Sequence, residues 1–600
     1  MAQGLRNVAI IAHVDHGKTT LVDGLFRQAG GLARGQAGAE RVLDRNDLER
    51  ERGITILSKN ASVEWNQVRI NLIDTPGHAD FGGQVERVLS MADGCLLLVD
   101  AFEGPMPQTR FVLRKAFENH LRPVVVLNKM DRPDARPDGV IGQIYDLFID
   151  LDADDEALDF PIVYASAREQ WATQDLQDCS RGMAPLLDVI LEQVPAPVIQ
   201  DGPLQYQVST LDWSDYVGRI GIGRIRRGGL QKGQSVSWIR NDGRRTQGKV
   251  KELFVFRGME RQSAESVEAG DVAAVAGLED LGLGDTLCDA EHPEALPPIQ
   301  VDEPTLEMEF RVNDGPFAGR EGRFVTSRQL QERLVRAGWM DPALRVQAET
   351  ADAFQVAGRG LLHLGILIEN MRREGYEFCV GKPRVLYKEV DGKRCEPIED
   401  AQLEVPEAHL GRIIEFFGQR GAQIGEMERR GNEAILFMKI PTRGLIGART
   451  QVMTLTKGEG ILHSVAAGYG PMTEGMQTRR NGVLVATDSG QATSYALRGL
   501  EDRGEFFIRP GDPVYAGMVV GENNKDTDLG LNVSRARKLT NVRSSTKDIE
   551  EKLRQPRSLS LEAFLEYLGP DELLEVTPES LRLRKRLLDE KSRRRAGGSA

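Results

Sequence analysis

The chain has 600 residues, too many for one hydrophobic core, and implies about three to five domains. Its longest apolar runs, such as Cys95–Val99 and Pro123–Leu127, fall well short of the roughly 20 residues that cross a bilayer, and the opening residues lead straight into a strand-like run, so a membrane span and a signal peptide are excluded as readings. Five scattered cysteines with no CxxC favour a reducing cytoplasm over a disulfide or zinc framework, and the net charge of −13, taken alone, argues against a nucleic-acid partner.

Residues 1–198 alternate strand-like and helix-like segments, the pattern of an α/β domain with a mostly parallel sheet. Strands are expected over 7–12, 69–74, 94–99, 123–128 and 161–166. Val85, Val88, Leu89 and Ala92 recur at i, i+3, i+4, i+7, which predicts a helix with one apolar stripe. Pro195, Pro197 and Pro203 mark a linker, and the short β-like runs broken by glycine over 199–302 predict a small β-barrel.

After a second Pro-rich linker come two α+β units, 303–384 and 385–480, each reading strand, helix, strand, strand, helix, strand, as in the split βαβ, ferredoxin-like arrangement. Leu410, Ile413, Ile414 and Phe417 form the predicted core stripe of the first helix in the second unit. Residues 481–600 are β-rich, then basic, then charged, and the final KSRRRAGGSA is expected to be disordered. From Leu531 to Ala600 there are 16 Lys+Arg against 11 Asp+Glu, so this end is the one suited to an anionic partner. Within it, Val533–Lys547 has no acidic residue and carries Arg535, Arg537, Lys538, Arg543 and Lys547, candidates for RNA phosphate contacts.

Ala12–Thr19 reads AHVDHGKT between a strand-like run and a helix-like one, a P-loop with alanine in place of its first glycine. Asp15, His16, Gly17, Lys18, Thr19 and Thr20 are the candidate phosphate cradle. Gly17 lets the backbone approach closely, Lys18 reaches the β/γ phosphates and serves catalysis, and Thr19 ligates Mg²⁺. His13, Asp15 and His16 have the spacing of loop geometry rather than of a metal cluster.

Asp74–His78 reads DTPGH: Asp74 is placed to hold Mg²⁺ through water, Gly77 to donate its N–H to the γ-phosphate, and His78 to orient the attacking water. Upstream, Thr55 in RGIT is the candidate switch threonine that completes the Mg²⁺ shell, with Val14 and Ile54 as an apolar gate over His78. Asn128, Lys129, Met130 and Asp131 (NKMD) form the strongest discriminator. Asp131 accepts from the N1–H and exocyclic amine of guanine, which adenine lacks. Ser166 and Ala167 support the same base.

AHVDHGKTT, RGITI, DTPGH, NKMD and ASA together resemble the translational GTPases, the superfamily of elongation factors G and Tu. PTRGLIGART (441–450), TRRNGVL (478–484), LRGLEDRGEFFI (497–508), RKLTNVRSS (537–545) and LEVTPESLRLRKRLL (574–588) extend the likeness over nearly the whole chain and narrow it to the BipA/TypA family. Residues 384–396 are too short for the domain that elongation factor G inserts there. The resemblance implies a Mg²⁺-dependent, ribosome-stimulated GTPase that enters the factor-binding site between the subunits. It also implies contacts to rRNA and tRNA, a link to large-subunit maturation and stress, and binding of ppGpp. A cytoplasmic monomer that keeps off membranes is the simplest expectation. The alternatives are a GTP-gated RNA-binding assembly factor with little catalytic role and an ATP-dependent kinase, against which NKMD argues.

Overall fold

The structure is a computed structural model that describes residues 4–13, 15–30, 47–52, 55, 58–76, 82–214, 216–299, 303–341, 343–430, 432–473, 476, 481–536 and 553–597. The chain forms two compact units, one of residues 1–302 with 339–342, the other of the remainder of 303–600.

The first unit opens with β1 (Leu5–Ala12), α1 (Lys18–Gln28), α2 (Asp47–Arg52), β2 (Lys59–Trp65), β3 (Val68–Asp74), α3 (Gly82–Leu89), β4 (Gly94–Asp100), α4 (Pro107–Glu118), β5 (Arg122–Asn128), α5 (Pro137–Asp150), α6 (Asp155–Leu158), β6 (Ile162–Ser166), β7 (Trp171–Thr173) and α7 (Ala184–Gln193). The sheet order is β2-β3-β1-β4-β5-β6-β7, parallel from β3 through β6. Strand β4 (GCLLLVD) is buried along its whole length, as a central parallel strand covered on both faces must be, and this explains its continuous apolar run. Val85, Val88 and Leu89 of α3 join Leu97, Val99, Val125 and Leu127 in one core, Ala92 at its edge. In such a sheet ligands bind beyond the carboxyl ends of the strands, and β1, β3, β4, β5 and β6 end at Ala12, Asp74, Asp100, Asn128 and Ser166.

The glycine-broken runs that follow form an eight-stranded antiparallel sheet with a two-stranded ribbon beside it, around a core that includes Tyr206, Val236, Trp238 and Val275. Buried polar contacts join this barrel-type sheet to the nucleotide-domain sheet. Asn7 on β1 donates to Asp93 and to the Gly270 carbonyl, at 2.8 and 2.9 Å, and accepts from Asn71 at 2.9 Å. Asn71 also donates to Asp271, 3.1 Å away, while Arg224 pairs with Asp93 at 2.7 Å. The strand that delivers the P-loop is thus anchored at its far end by satisfied buried polar groups.

In the second unit, strands Leu306–Val312, Arg345–Ala348, Ala353–Gly358 and Phe378–Val380, helix Leu361–Arg373 and the 327–338 part of helix Ser327–Met340 make the expected split βαβ unit. Strands Lys393–Pro406, Gln423–Arg430, Glu433–Pro441 and Ile461–Pro471, with helices Leu410–Gly418 and Ala448–Leu455, repeat it. Ile413 and Phe417 are fully buried and Leu410 packs against them, but Ile414 is exposed, so the apolar stripe is narrower than its four residues suggest. The end of the chain does not stand alone. Strands Glu572–Val576 and Leu581–Lys585 extend the first of these sheets beyond Phe378–Val380. Val483, Val485, Val519, Leu565 and Leu574 share a core with Phe310, Phe354 and Phe378.

Two expectations for this end change. The segment Glu590–Gly597 is helical, with Glu590 and Arg594 paired one turn apart, where disorder was expected. Part of the basic charge is also turned inward. Arg582, Arg584 and Lys585 are buried, and they pair with Glu575, Glu321, Asp314, Glu572, Asp571 and Asp528; Arg586 pairs with Glu309 at 2.5 Å. An anionic partner therefore does not meet Arg582, Arg584 and Lys585. A buried charge persists only with such partners, which the net-charge count cannot see.

No helix among the described residues is long and apolar enough to cross a membrane.

Candidate functional site

The P-loop leaves β1 and turns into α1 through two left-handed residues, Asp15 (φ 63°) and Gly17 (φ 93°). A side chain at Gly17 would run into the Asn128 amide, so glycine is required on two counts, dihedral and space. Helix α1 starts with no side-chain cap and no acidic residue in its first turn, so its N-terminal amides and dipole face an anion site unopposed. Lys18 is buried; its ammonium lies 2.7 Å from Asp74 Oδ1 and donates to the Thr75 carbonyl, while the Thr75 hydroxyl donates to the Ile10 carbonyl at 2.6 Å. The end of β3 is thereby tied to the P-loop. Thr20 is exposed at the helix start, and Thr19 is half-buried beside it.

The base-reading loop follows β5. Asn128 is buried, and its amide joins three segments: Nδ2 donates to the His16 carbonyl at 2.8 Å, and Oδ1 accepts from the Ala167 N–H at 2.9 Å. Nδ2 carries two protons and one of them is used here, so the side chain acts first as a strut between the P-loop and the loop after β6. Ser166 donates its hydroxyl to Asp131 Oδ1 at 2.7 Å, which aims the carboxylate, and the Met130 N–H donates to the Ala165 carbonyl, 3.1 Å distant. Lys129 sits at φ 64°, with its ammonium 2.6 Å from Asp100 Oδ2.

Two of the residues expected around Mg²⁺, Asp74 and Thr55, are buried oxygen donors of the kind that ion takes. Asp74 is 2% exposed, and its Oδ2 is buried without a hydrogen-bond partner among the described residues, a carboxylate oxygen that a metal-bound water would satisfy. Thr55 is buried as well. Gly77 and His78, with the gate residues Val14 and Ile54, lie outside the described residues, as do Arg537, Lys538, Arg543 and Lys547. Arg535 is described and exposed.

Sequence reasoning missed the loop after β4. Asp100 is fully buried, and Oδ1 accepts from the Phe102 N–H at 2.8 Å. Burial pulls its carboxyl upward, but Lys129 and the Phe102 and Glu103 amides outweigh that and hold it below the ordinary aspartate range. The fully buried His16 ring packs edge-on to His13, and its Nε2 faces Glu103 Oε2 at 3.3 Å. His16 holds the Glu103 carboxyl below its usual range against the effect of burial. The available signal was a lone aspartate closing an apolar strand, LLLVD, in the same place that Asp74 closes β3.

A P-loop, a strand-end aspartate and an NKxD loop gathered at the carboxyl edge of one parallel sheet define a guanine-nucleotide-hydrolysing domain, and a barrel-type sheet packed on it is the arrangement of translation factors. The chain matches the family models for the elongation factor Tu GTP-binding domain over residues 3–196, elongation factor Tu domain 2 over 218–288, the elongation factor G C-terminus over 393–480 and the TypA/BipA C-terminal domain over 481–590. It is 53% identical over 596 residues to the large ribosomal subunit assembly factor BipA of Bacillus subtilis (strain 168), covering 99% of this chain and 97% of that one. It is 51% identical over 600 residues to the protein of the same name from Salmonella typhimurium, covering 99% of each. Among solved structures, that of ttk003000868 from Thermus thermophilus matches with a TM-score of 0.53 at 19% identity, over 79% of this chain and 98% of that one, a likeness of fold alone. The chain belongs to the TypA/BipA family of translational GTPases.

Proposed function

We propose that this protein is a ribosome-binding GTPase that acts in assembly of the large ribosomal subunit and in stress-related translation, hydrolysing GTP when it docks at the factor-binding site. The observation that carries the reading is the end-to-end match to proteins named large ribosomal subunit assembly factor, together with the Lys18–Asp74–Asn128–Asp131 geometry.

In this reading the α1 amides and Lys18 neutralise the β and γ phosphates, and Asp131 selects guanine. Thr19, Thr55 and, through water, Asp74 would hold Mg²⁺, which would offset the negative charge that develops on the phosphate in the transition state. His78 orients a water whose oxygen attacks the γ-phosphorus. The bond from that phosphorus to the β–γ bridging oxygen breaks, its electron pair leaves with GDP, and inorganic phosphate departs. Gly77 and Thr55 sense the γ-phosphate, and its loss relaxes both. The basic loop around Arg535, Arg537, Lys538, Arg543 and Lys547 meets rRNA or tRNA phosphates. ppGpp, which carries the same guanine, would compete with GTP for this site.

The test is GTP turnover in buffer, with vacant ribosomes and with separated subunits. Stimulation by ribosomes of at least about a hundredfold is expected for a factor whose intrinsic rate is that of a slow switch. Turnover that ribosomes leave unchanged, with GTP-dependent RNA binding intact, would instead favour a GTP-gated RNA-binding factor.

A further inference from the structure

Two non-glycine residues in the nucleotide loops occupy left-handed backbone, Asp15 in the P-loop and Lys129 in the base loop. Such a conformation is unfavourable for a residue with a side chain and persists only where the surroundings hold it. One short stretch, Asp100–Glu103 (DAFE), at the end of β4 touches both loops, Lys129 directly and Asp15 through its neighbour His16.

Asp100 Oδ2 takes the Lys129 ammonium at 2.6 Å and has Arg132 Nη1 at 3.5 Å. The Asp100 N–H donates to His16 Nδ1 at 3.3 Å. Nδ1 also lies 3.4 Å from the Leu98 carbonyl; in the tautomer whose Nδ1 accepts from Asp100, the proton sits on Nε2, the nitrogen that faces Glu103. His16 adjoins Asp15 on one side and Gly17 on the other, and its own carbonyl holds Asn128. The stretch is itself stiffened: Arg132 and Arg136 lie over the Phe102 ring at 5.3 and 5.8 Å, and Arg136 Nε donates to the Phe102 carbonyl at 2.8 Å.

We propose that Asp100, acting through Lys129, and Glu103, acting through His16, are positioning residues of the guanine-nucleotide site, and that the loop after β4 is a brace whose integrity sets how fast guanine nucleotide leaves. Neither residue reads the base edge, which is the task of Asp131. They hold the Lys129 stem over the base plane and the P-loop backbone around the phosphates. The inference rests on the GTP-site reading of the P-loop and NKMD.

The experiment is stopped-flow release of a fluorescent GDP from the full-length chain, with GDP and IDP affinities and steady-state GTP hydrolysis alongside. The variants are Asp100→Asn, Glu103→Gln and Glu103→Asp, with Glu118→Gln, an exposed ion-pair partner of Lys115, as control. Glu103 is 40% exposed, so its variants test the idea even if Asp100→Asn fails to fold. Glu103→Gln is expected to speed GDP release about three- to tenfold, Asp100→Asn about ten- to a hundredfold, the scale of one charged hydrogen bond or ion pair. Both should raise KM for GTP by a larger factor than they lower kcat, and Glu103→Asp should recover most of the loss. The GDP-to-IDP affinity ratio should stay within about twofold, because IDP lacks the amine that Asp131 reads. Release rates within about twofold of wild type in both Glu103→Gln and any folded Asp100→Asn would overturn the brace, as would a collapsed GDP-to-IDP ratio. A wild-type chain without guanine preference would instead overturn the GTP-site reading beneath it.

Discussion

Asp131→Asn is the sharpest test of the base-reading site. Asp131 is held by the Ser166 hydroxyl at 2.7 Å on Oδ1, and in the proposed complex it accepts from both guanine donors. With asparagine, two charge-assisted hydrogen bonds of about 1.5–3 kcal/mol each become one neutral bond and one donor facing a donor. The loss is about 3–5 kcal/mol, or about a hundred- to a few-thousandfold in GTP affinity. Xanthine carries a carbonyl where guanine carries the amine, so the new side-chain N–H gains an acceptor and XTP affinity rises as GTP affinity falls. The Ser166 hydroxyl keeps an oxygen to donate to, so the loop stays folded. Displacement of fluorescent GDP by GTP and by XTP measures both changes, and ribosome-stimulated turnover of XTP by the variant is the functional readout. Unchanged GTP affinity would refute the assignment of Asp131, and a parallel loss for both nucleotides would reduce it to a structural residue.

His78→Ala should bind GTP about as wild type does yet lose at least about a hundredfold of ribosome-stimulated kcat, because water positioning acts in the transition state; stimulated turnover near wild type in rapid quench would remove His78 from the mechanism. Lys538→Ala with Arg543→Ala should weaken ribosome binding and lower the log–log salt slope by roughly one unit per lost phosphate contact, with GTP affinity unaltered; an unchanged slope in sedimentation assays would place both on a solvated face. Glu575→Gln leaves buried Arg582 and Arg584, 3.1 and 3.4 Å away, against a neutral amide, and should destabilise the second unit by about 3–5 kcal/mol. Urea denaturation followed by circular dichroism measures this, and an unmoved midpoint would show that the other carboxylates suffice.

What the sequence determined by itself was local. A P-loop, DTPGH and NKMD each act within a few residues of backbone, so their chemistry is written in consecutive side chains, and the strand and helix periods around them placed the parallel sheet and both split βαβ units. Tertiary structure decided what depends on partners distant in the chain. Leu581–Lys585 (LRLRK) lies in the charged end of the chain and is a buried strand, because Glu575, Glu321 and Asp314 come to meet it from other elements. Ile414 reads as core and is exposed, because the sheet beneath its helix covers a narrower face than the helical period marks. Asp100 and Glu103 belong to no motif, and only the return of β5 beside β4 and of the P-loop above them sets Lys129 and His16 within reach. Charge on a chain is additive, but the energy of a charge depends on what surrounds it, and only the folded chain supplies those surroundings.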